Sequence, residues 1–179
     1  MITILIGKSA AGKDTYLNKC EKAGTKRIVT CTTRPKRKGE VSGRDYHFMS
    51  DKVFDTCKKD GMFVEDREYH TLFKGVPAVW RYGSLKVSDA GSKDYGVILD
   101  VDGALSYIEH YGPENIRILY LTVPDDIRRK RAKKRGSFDE TEWNRRLLDD
   151  REKFSAERID KLKRALKTYY PRNFKILDA

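Results

Sequence analysis

Short apolar runs alternate with stretches of helical periodicity along the whole chain. Ile2-Thr3-Ile4-Leu5-Ile6 reads as a buried strand, and Tyr16-Leu17-Asn18-Lys19-Cys20 continues a helix that opens near Lys13. Residues 27–31 read as a second short strand, 51–59 as a short helix and 62–65 as a strand. Residues 35–46 are rich in Pro, Gly and charge and predict an ordered loop or hairpin lobe, while 74–77 carry turn chemistry. Residues 95–102 form a buried strand ending in two acids, and 104–110 continue as a helix. The strand at 116–123 is stopped by Pro124, and a helix from Asp126 to about Lys134 follows, with Asp125 and Asp126 placed for its first turn. Residues 141 to about 167 make one long helix or two, and 174–177 a terminal strand. Strands alternating with helices imply a parallel α/β sheet, whose ligands bind beyond the carboxyl ends of the strands. Gly7, Asp100, Asp102 and Pro124 all fall at such ends.

The segment between the first strand and first helix, Gly7-Lys8-Ser9-Ala10-Ala11-Gly12-Lys13-Asp14-Thr15, carries the sharpest chemistry. Glycines at 7 and 12 let the backbone turn so that successive N–H groups wrap an anion. The helix start adds its positive dipole end, and Lys13 reaches the outer phosphates as a point charge. Gly7, Ala10, Ala11, Gly12, Lys13, Asp14 and Thr15 are thus the candidate ATP-binding set. A Ser or Thr normally follows the lysine and holds Mg²⁺. Asp14 stands there instead, with Thr15 one later. A carboxylate is a hard Mg²⁺ ligand that repels phosphate without metal, so nucleotide binding is expected to require Mg²⁺ strongly.

The 179 residues suit one domain or a core with small lobes, and 39% hydrophobic content allows a core. No apolar stretch is long enough to span a bilayer and no signal peptide opens the chain, so a cytoplasmic location is expected. Cys20, Cys31 and Cys57 form no metal pattern and read as reduced thiols; the three histidines are scattered, which speaks against a dedicated transition-metal site. The net charge of +11 is concentrated in Arg34-Pro35-Lys36-Arg37-Lys38 and in residues 128–135. Such runs attract phosphates of any kind. Aromatic stacking platforms between them are not apparent, which disfavours nucleic acid as the partner.

After the second strand comes Thr30-Cys31-Thr32-Thr33-Arg34-Pro35-Lys36-Arg37-Lys38-Gly39-Glu40-Val41-Ser42-Gly43-Arg44-Asp45-Tyr46-His47-Phe48. With the phosphate loop ahead of it, this closely resembles the signature of the guanylate kinase family, and the likeness extends over nearly the whole chain. The resemblance implies that Arg34, Arg37, Tyr46 and Tyr82 clamp the acceptor phosphate, with Glu40 orienting the arginines. It implies that Thr30, Glu65, Ser84 and Asp102 read guanine: a carboxylate takes the N1 and amino protons, and hydroxyls serve O6. Glu68 competes with Glu65 for that role. Asp100 matches the family's Mg²⁺-associated acid, beside Asp14 and Thr15, although a helix cap is the other reading. Arg131, Arg135 and Arg146 match the lid arginines and join Lys13 and Arg34 as candidate catalytic residues; Arg128 and Arg129 read as a solvated helix face. Tyr46 also admits a reading as core packing, and Ser84 as a turn residue.

The resulting expectation is a P-loop NTPase-type α/β fold, a parallel sheet flanked by helices with a small nucleoside-monophosphate-binding lobe and an arginine lid. The single domain would divide into a core at about 1–30 and 85–179, a lid at about 128–146 and an acceptor lobe at about 31–84. The implied reaction is transfer of the ATP γ-phosphoryl group to GMP or dGMP with Mg²⁺, by a monomer or homodimer. The alternatives are a kinase for another nucleoside monophosphate and a non-catalytic binding module. Two further departures from the family pattern stand out: an extra segment at about 71–80, and an end at Ala179 where typical members add a helix, which leaves a surface to be exposed or paired with a second subunit.

Overall fold

The computed structural model describes residues 1–73, 75–90, 92–134 and 138–178. The chain divides into two compact units, one of Met1–Lys26 and Ala90–Ala179, the other of Arg27–Asp89.

The first unit is built on a five-stranded sheet. Strand β1 (Ile2–Ile6) is followed by helix α1 (Lys13–Lys22) and the short β2 (Lys26–Arg27). After the second unit come β7 (Tyr95–Ile98), α3 (Val101–Tyr111), β8 (Ile116–Thr122), α4 (Asp125–Lys134), α5 (Glu140–Lys153), α6 (Ala156–Ala165) and β9 (Phe174–Asp178). The strand order is β2-β7-β1-β8-β9, and β1 pairs in parallel with both β7 and β8, as β8 does with β9. Parallel strands covered by helices read as apolar runs rather than alternating ones, as Ile2, Ile4, Leu5, Ile6, Ile116 and Ile118 do, all wholly buried. Leu17 of α1, Tyr107 of α3 and Leu162 of α6 complete that core.

Two expectations change here, and one open alternative is decided. The strand expected to run to Asp102 stops at Ile98, because the Asp100 carboxylate accepts from Gly103 N at 3.0 Å and caps α3. Helix α4 begins at Asp125 rather than Asp126. The helical stretch after 141 is two helices, α5 and α6, broken at Phe154 and Ser155.

The second unit holds β3 (Cys31–Thr32), β4 (His47–Phe48), α2 (Asp51–Lys59), β5 (Phe63–Phe73) and β6 (Val76–Leu85) in a mixed sheet of order β4-β3-β6-β5. The strand expected at 27–31 is therefore two strands, β2 and β3, in different sheets. The strand expected at 62–65 is the start of an eleven-residue strand, and within the extra segment at 71–80 residues 71–73 and 76–80 pair as the outer part of the β5–β6 hairpin, residue 74 lying outside the described residues. Ser50 caps α2, which lays the buried Phe54 against Phe63 with ring centroids 4.7 Å apart.

Candidate active site

In the first unit, β1 leads into Gly7. Its φ is +152°, and a Cβ there would lie 2.6 Å from the Leu121 carbonyl oxygen, so only glycine lets the loop leave the sheet this close to β8. The turn is closed by Ala11 N donating to Lys8 O at 3.2 Å. Gly12, at φ +94°, is the N-cap of α1 and brings no capping side chain. A helix N-terminus with its positive dipole end suits an anion. Lys13 Nζ donates to Gly7 O at 2.5 Å and Lys8 O at 3.1 Å, which holds the ammonium across the loop. Ala10 has φ +60°, a left-handed conformation that costs a non-glycine residue about 1–3 kcal/mol. Ala11 is buried against Leu5 and Leu17, and Asp14 and Thr15 are exposed in the first turn of α1.

The lid arginines differ in placement. Arg131 Nη1 donates to Ala11 O at 3.4 Å, which puts α4 directly on the loop. Arg146 Nε bonds Glu142 within its own helix at 2.7 Å, a carboxylate it shares with Arg145. Arg135 lies outside the described residues. The solvated face expected for Arg128 is not observed. Arg128 is 1% exposed; its Nη1 donates to Ser9 O and to Asp150 Oδ2, both at 2.8 Å, and its Nη2 to Asp125 at 2.7 Å. The Asp150 carboxylate in turn accepts from Ser9 N at 3.0 Å and Ser9 Oγ at 3.1 Å. Arg128 holds the Asp125 carboxyl below the ordinary aspartate range through that hydrogen bond, against a smaller opposing effect of burial.

Neither Arg128 nor Asp150 was singled out by sequence. One signal was present: α4 reads Asp125-Asp126-Ile127-Arg128-Arg129-Lys130-Arg131-Ala132-Lys133-Lys134, with no apolar stripe, so a charged residue has to face inward. Ile127 is the exposed residue and Arg128 the buried one.

The acids at the ends of the strands also take on structural duties. One oxygen of Asp100 caps α3 and the other lies 3.8 Å from Lys153 Nζ. Asp102 sits within α3 and pairs with Arg158 at 3.0 Å. No group of three or more His, Cys, Asp or Glu side chains capable of holding a metal occurs among the described residues. Mg²⁺ bound with nucleotide needs only one or two protein oxygens, because phosphates and water supply the rest. The hard oxygens of Asp14, Thr15 and Asp100 fit that demand.

Thr30, Arg34, Arg37, Glu40, Tyr46, Glu65, Tyr82 and Ser84 all belong to the second unit. Thr32 anchors the loop after β3, donating to Arg81 O at 2.9 Å and accepting from Arg34 N at 3.1 Å. Arg34 is 4% exposed, pairs with Glu40 at 2.7 Å and stacks its guanidinium over Tyr46 and Phe48 at 5.4 and 5.6 Å. Burial alone would lower its pKa, but Glu40 and the phenols of Tyr82 and Tyr46 outweigh that and raise it. Glu40 also accepts from Arg37 N at 2.7 Å, tying both arginines to one carboxylate. The Tyr46 and Tyr82 rings meet edge to face at 6.0 Å. The backbone carbonyl of Thr30 accepts from His47 N at 2.9 Å.

In the hairpin, register shifts between Phe63 and Glu65, so that Glu65 stands opposite Ser84 and accepts from its Oγ at 3.0 Å. Beyond the bulge, Glu65, Arg67 and Tyr69 alternate with Asp66, Glu68 and His70, the second set being exposed. Glu68 therefore lies on the opposite face from Glu65, paired in register with Arg81, and is not placed beside Ser84. Arg67 stands opposite Tyr82 on the Glu65 face.

Comparison with known proteins adds to this geometry. The family model described as guanylate kinase matches residues 1–170. A guanylate kinase of Symbiobacterium thermophilum is 31% identical over 83% of this chain and 69% of its own length. One of Lactiplantibacillus plantarum is 30% identical over 91% of this chain and 74% of its own. The crystal structure of guanylate kinase from Anaplasma phagocytophilum matches at TM-score 0.56 and 19% identity, covering 98% of this chain and 87% of that one, a likeness of fold.

Proposed function

We propose that this chain, which belongs to the guanylate kinase family, transfers the γ-phosphoryl group of ATP to GMP, and to dGMP by the same contacts. The observation that carries the base assignment is the Glu65–Ser84 pair, held at 3.0 Å on the Tyr82 face of the hairpin. A carboxylate there accepts both N1–H and the amino group of guanine, and the hydroxyl fixes its plane. Adenine would set an acceptor against Glu65, a mispairing that costs about 1–3 kcal/mol per buried group.

In the proposed reaction an oxygen of the GMP phosphate, already anionic near neutral pH, forms the new bond to the γ-phosphorus. The bond from that phosphorus to the β–γ bridging oxygen breaks, and the electron pair leaves with ADP. No general base is required, so the protein works by positioning and by neutralising charge. Lys13 and the amides from Ala10 to Thr15 other than Ala11 N, which closes the turn, hold the donor phosphates, and Arg131, Arg135 and Arg146 are assigned to the charge on the transferred group. Arg34, Arg37, Tyr46 and Tyr82 hold the acceptor phosphate, with Glu40 aiming both arginines; Thr30 and Asp102 complete the assigned acceptor set. Mg²⁺, held by Asp14, Thr15 and Asp100 among the protein groups, would neutralise phosphate charge. The three cysteines are free thiols, the state a reducing compartment maintains, and a cytoplasmic setting belongs to the same proposal. No helix among the described residues is long and apolar enough to cross a membrane.

Initial rates with ATP and Mg²⁺ across GMP, dGMP, AMP, CMP, UMP and dTMP test the assignment. GMP and dGMP are expected to be phosphorylated fastest. Activity on a pyrimidine nucleotide without activity on GMP would overturn it.

A further inference from the structure

We propose that Arg128 and Asp150 are positioning residues for the donor phosphates: they clamp Ser9 from outside the phosphate loop and thereby hold Ala10 in its left-handed conformation. The inference rests on reading residues 7–15 as the ATP phosphate loop.

Every hydrogen-bonding group of Ser9 is engaged by this pair. Asp150 takes the N–H with both carboxylate oxygens at 3.0 Å and the hydroxyl at 3.1 Å, while Arg128 donates to the carbonyl at 2.8 Å. The Ser9 carbonyl lies in the peptide plane that carries Ala10 N, so fixing that plane holds one side of the rotation about the Ala10 N–Cα bond. That rotation is the unfavourable one, φ +60°. The far side of Ala10 is held too, through Ala11 N to Lys8 O at 3.2 Å and Arg131 to Ala11 O at 3.4 Å. A strained backbone angle persists only where its surroundings over-determine it, and here both flanks are fixed.

The clamp is itself rigid. Arg128 and Asp150 are 1% and 5% exposed and bond each other at 2.8 Å. Asp125 holds the second guanidinium nitrogen at 2.7 Å, and the Trp143 ring lies 5.6 Å beneath the guanidinium. A lone carboxylate beside an anion-binding loop would repel phosphate, and Arg128 cancels that charge. The pair thus ties α4 and α5 to the loop and uses no loop amide other than that of Ser9.

Glycine adopts the left-handed conformation without support, so Ala10→Gly should make the clamp dispensable. The variants are Asp150→Asn and the double replacement R128M/D150L, which leaves no uncompensated charge buried. Each is made both in the parent chain and in the Ala10→Gly background, and ATP and GMP are titrated calorimetrically in the presence of Mg²⁺. If the clamp keeps a loop that would otherwise hold this angle in about one molecule in ten, its removal weakens ATP binding about ten-fold. GMP affinity is expected to stay within about two-fold, and Ala10→Gly to recover most of the ATP loss. ATP affinity indifferent to both variants, or a loss that Ala10→Gly leaves untouched, overturns the clamp. In the unmodified chain the Ser9 amide is expected to exchange slowly with solvent before nucleotide is added; exchange as fast as an exposed loop overturns it as well. GMP phosphorylation is followed in parallel. A chain that shows this ATP pattern but phosphorylates no nucleoside monophosphate overturns the proposed reaction and leaves the clamp standing. One that phosphorylates GMP with ATP affinity indifferent to the pair overturns the clamp alone.

Discussion

Glu65 accepts a hydrogen bond from Ser84 Oγ at 3.0 Å because one extra residue between Phe63 and Glu65 shifts the register of the hairpin. A one-residue slip in a strand moves every following side chain to the other face. Without that shift, Glu65 would share the exposed face that Asp66 and Glu68 now occupy. The base-reading assignment thus depends on a local irregularity of β5.

Replacing Glu65 by Gln keeps the shape but turns one acceptor into a donor. We expect kcat/KM for GMP to fall about 10–100-fold, matching a loss of about 1–3 kcal/mol, while KM for ATP changes by less than about two-fold. Steady-state kinetics with each substrate varied in turn decide it. An unchanged kcat/KM for GMP removes Glu65 from the acceptor site.

Glu40 supplies a pH-dependent part of the stability. Burial pushes its carboxyl up, but the Arg34 hydrogen bond, Arg37 N and the charges of both arginines prevail and hold it below the ordinary glutamate value. A carboxyl depressed in the folded state stabilises fully above its unfolded pKa, about 4.3, and loses that contribution as pH falls through the lower folded value. Glu40→Gln should lower Tm at neutral pH and raise KM for GMP, since Arg34 then loses its partner. The Tm gap between parent and variant should close as the pH drops below about 4. Thermal melts from neutral to acid pH check this; a gap independent of pH contradicts it.

We expect Asp14 to make nucleotide binding conditional on metal. Chelation of Mg²⁺ should weaken ATP binding to the parent by about ten-fold or more, since an unneutralised carboxylate then faces phosphate. Asp14→Ser should depend less on metal. Calorimetric titration with Mg²⁺ and with chelator separates the two, and equal metal dependence rules out the role.

Cys31 should behave as an inert thiol. Burial, reinforced by nearby Cys57, pushes its pKa up to about 12. The thiol stays protonated in the folded chain where the unfolded chain ionises, near 8.5, so its contribution is full below that pH and is lost as pH rises toward the folded value. Native alkylation at pH 8 followed by peptide mass analysis should leave Cys31 unmodified. Rapid labelling of Cys31 without unfolding contradicts its burial.

The elements most legible in the sequence were those governed by local rules. The run from Ile2 to Ile6, the glycines on either side of the phosphate loop, and the helix at Asp51–Lys59 follow from periodicity and turn chemistry. What was misread needed a partner from elsewhere in the chain. Residues 27–31 look like one β-prone strand, yet the two ends pair in different sheets. Asp100 admits a strand-end and a helix-cap reading, and the hydrogen bond from Gly103 N decides for the cap. Glu65 was the assigned acid and Glu68 its competitor in a linear reading, and the register puts the two on opposite faces.

By itself the sequence determined the chemistry available: a glycine-flanked loop closed by Lys13, an arginine and tyrosine set from Arg34 to Tyr82, and strands apolar enough to be buried on both faces. These properties reside in residue type and short spacing, which the backbone expresses locally. Tertiary structure alone decided which charges face inward. Arg128 and Arg129 are neighbours of the same type, but helix α4 turns one toward Ser9 and Asp150 and the other toward the exposed Glu140. The physical reason is that a buried charge is tolerated only where a carboxylate and carbonyl from distant segments meet it, and those meetings exist only once the sheet and its helices have packed.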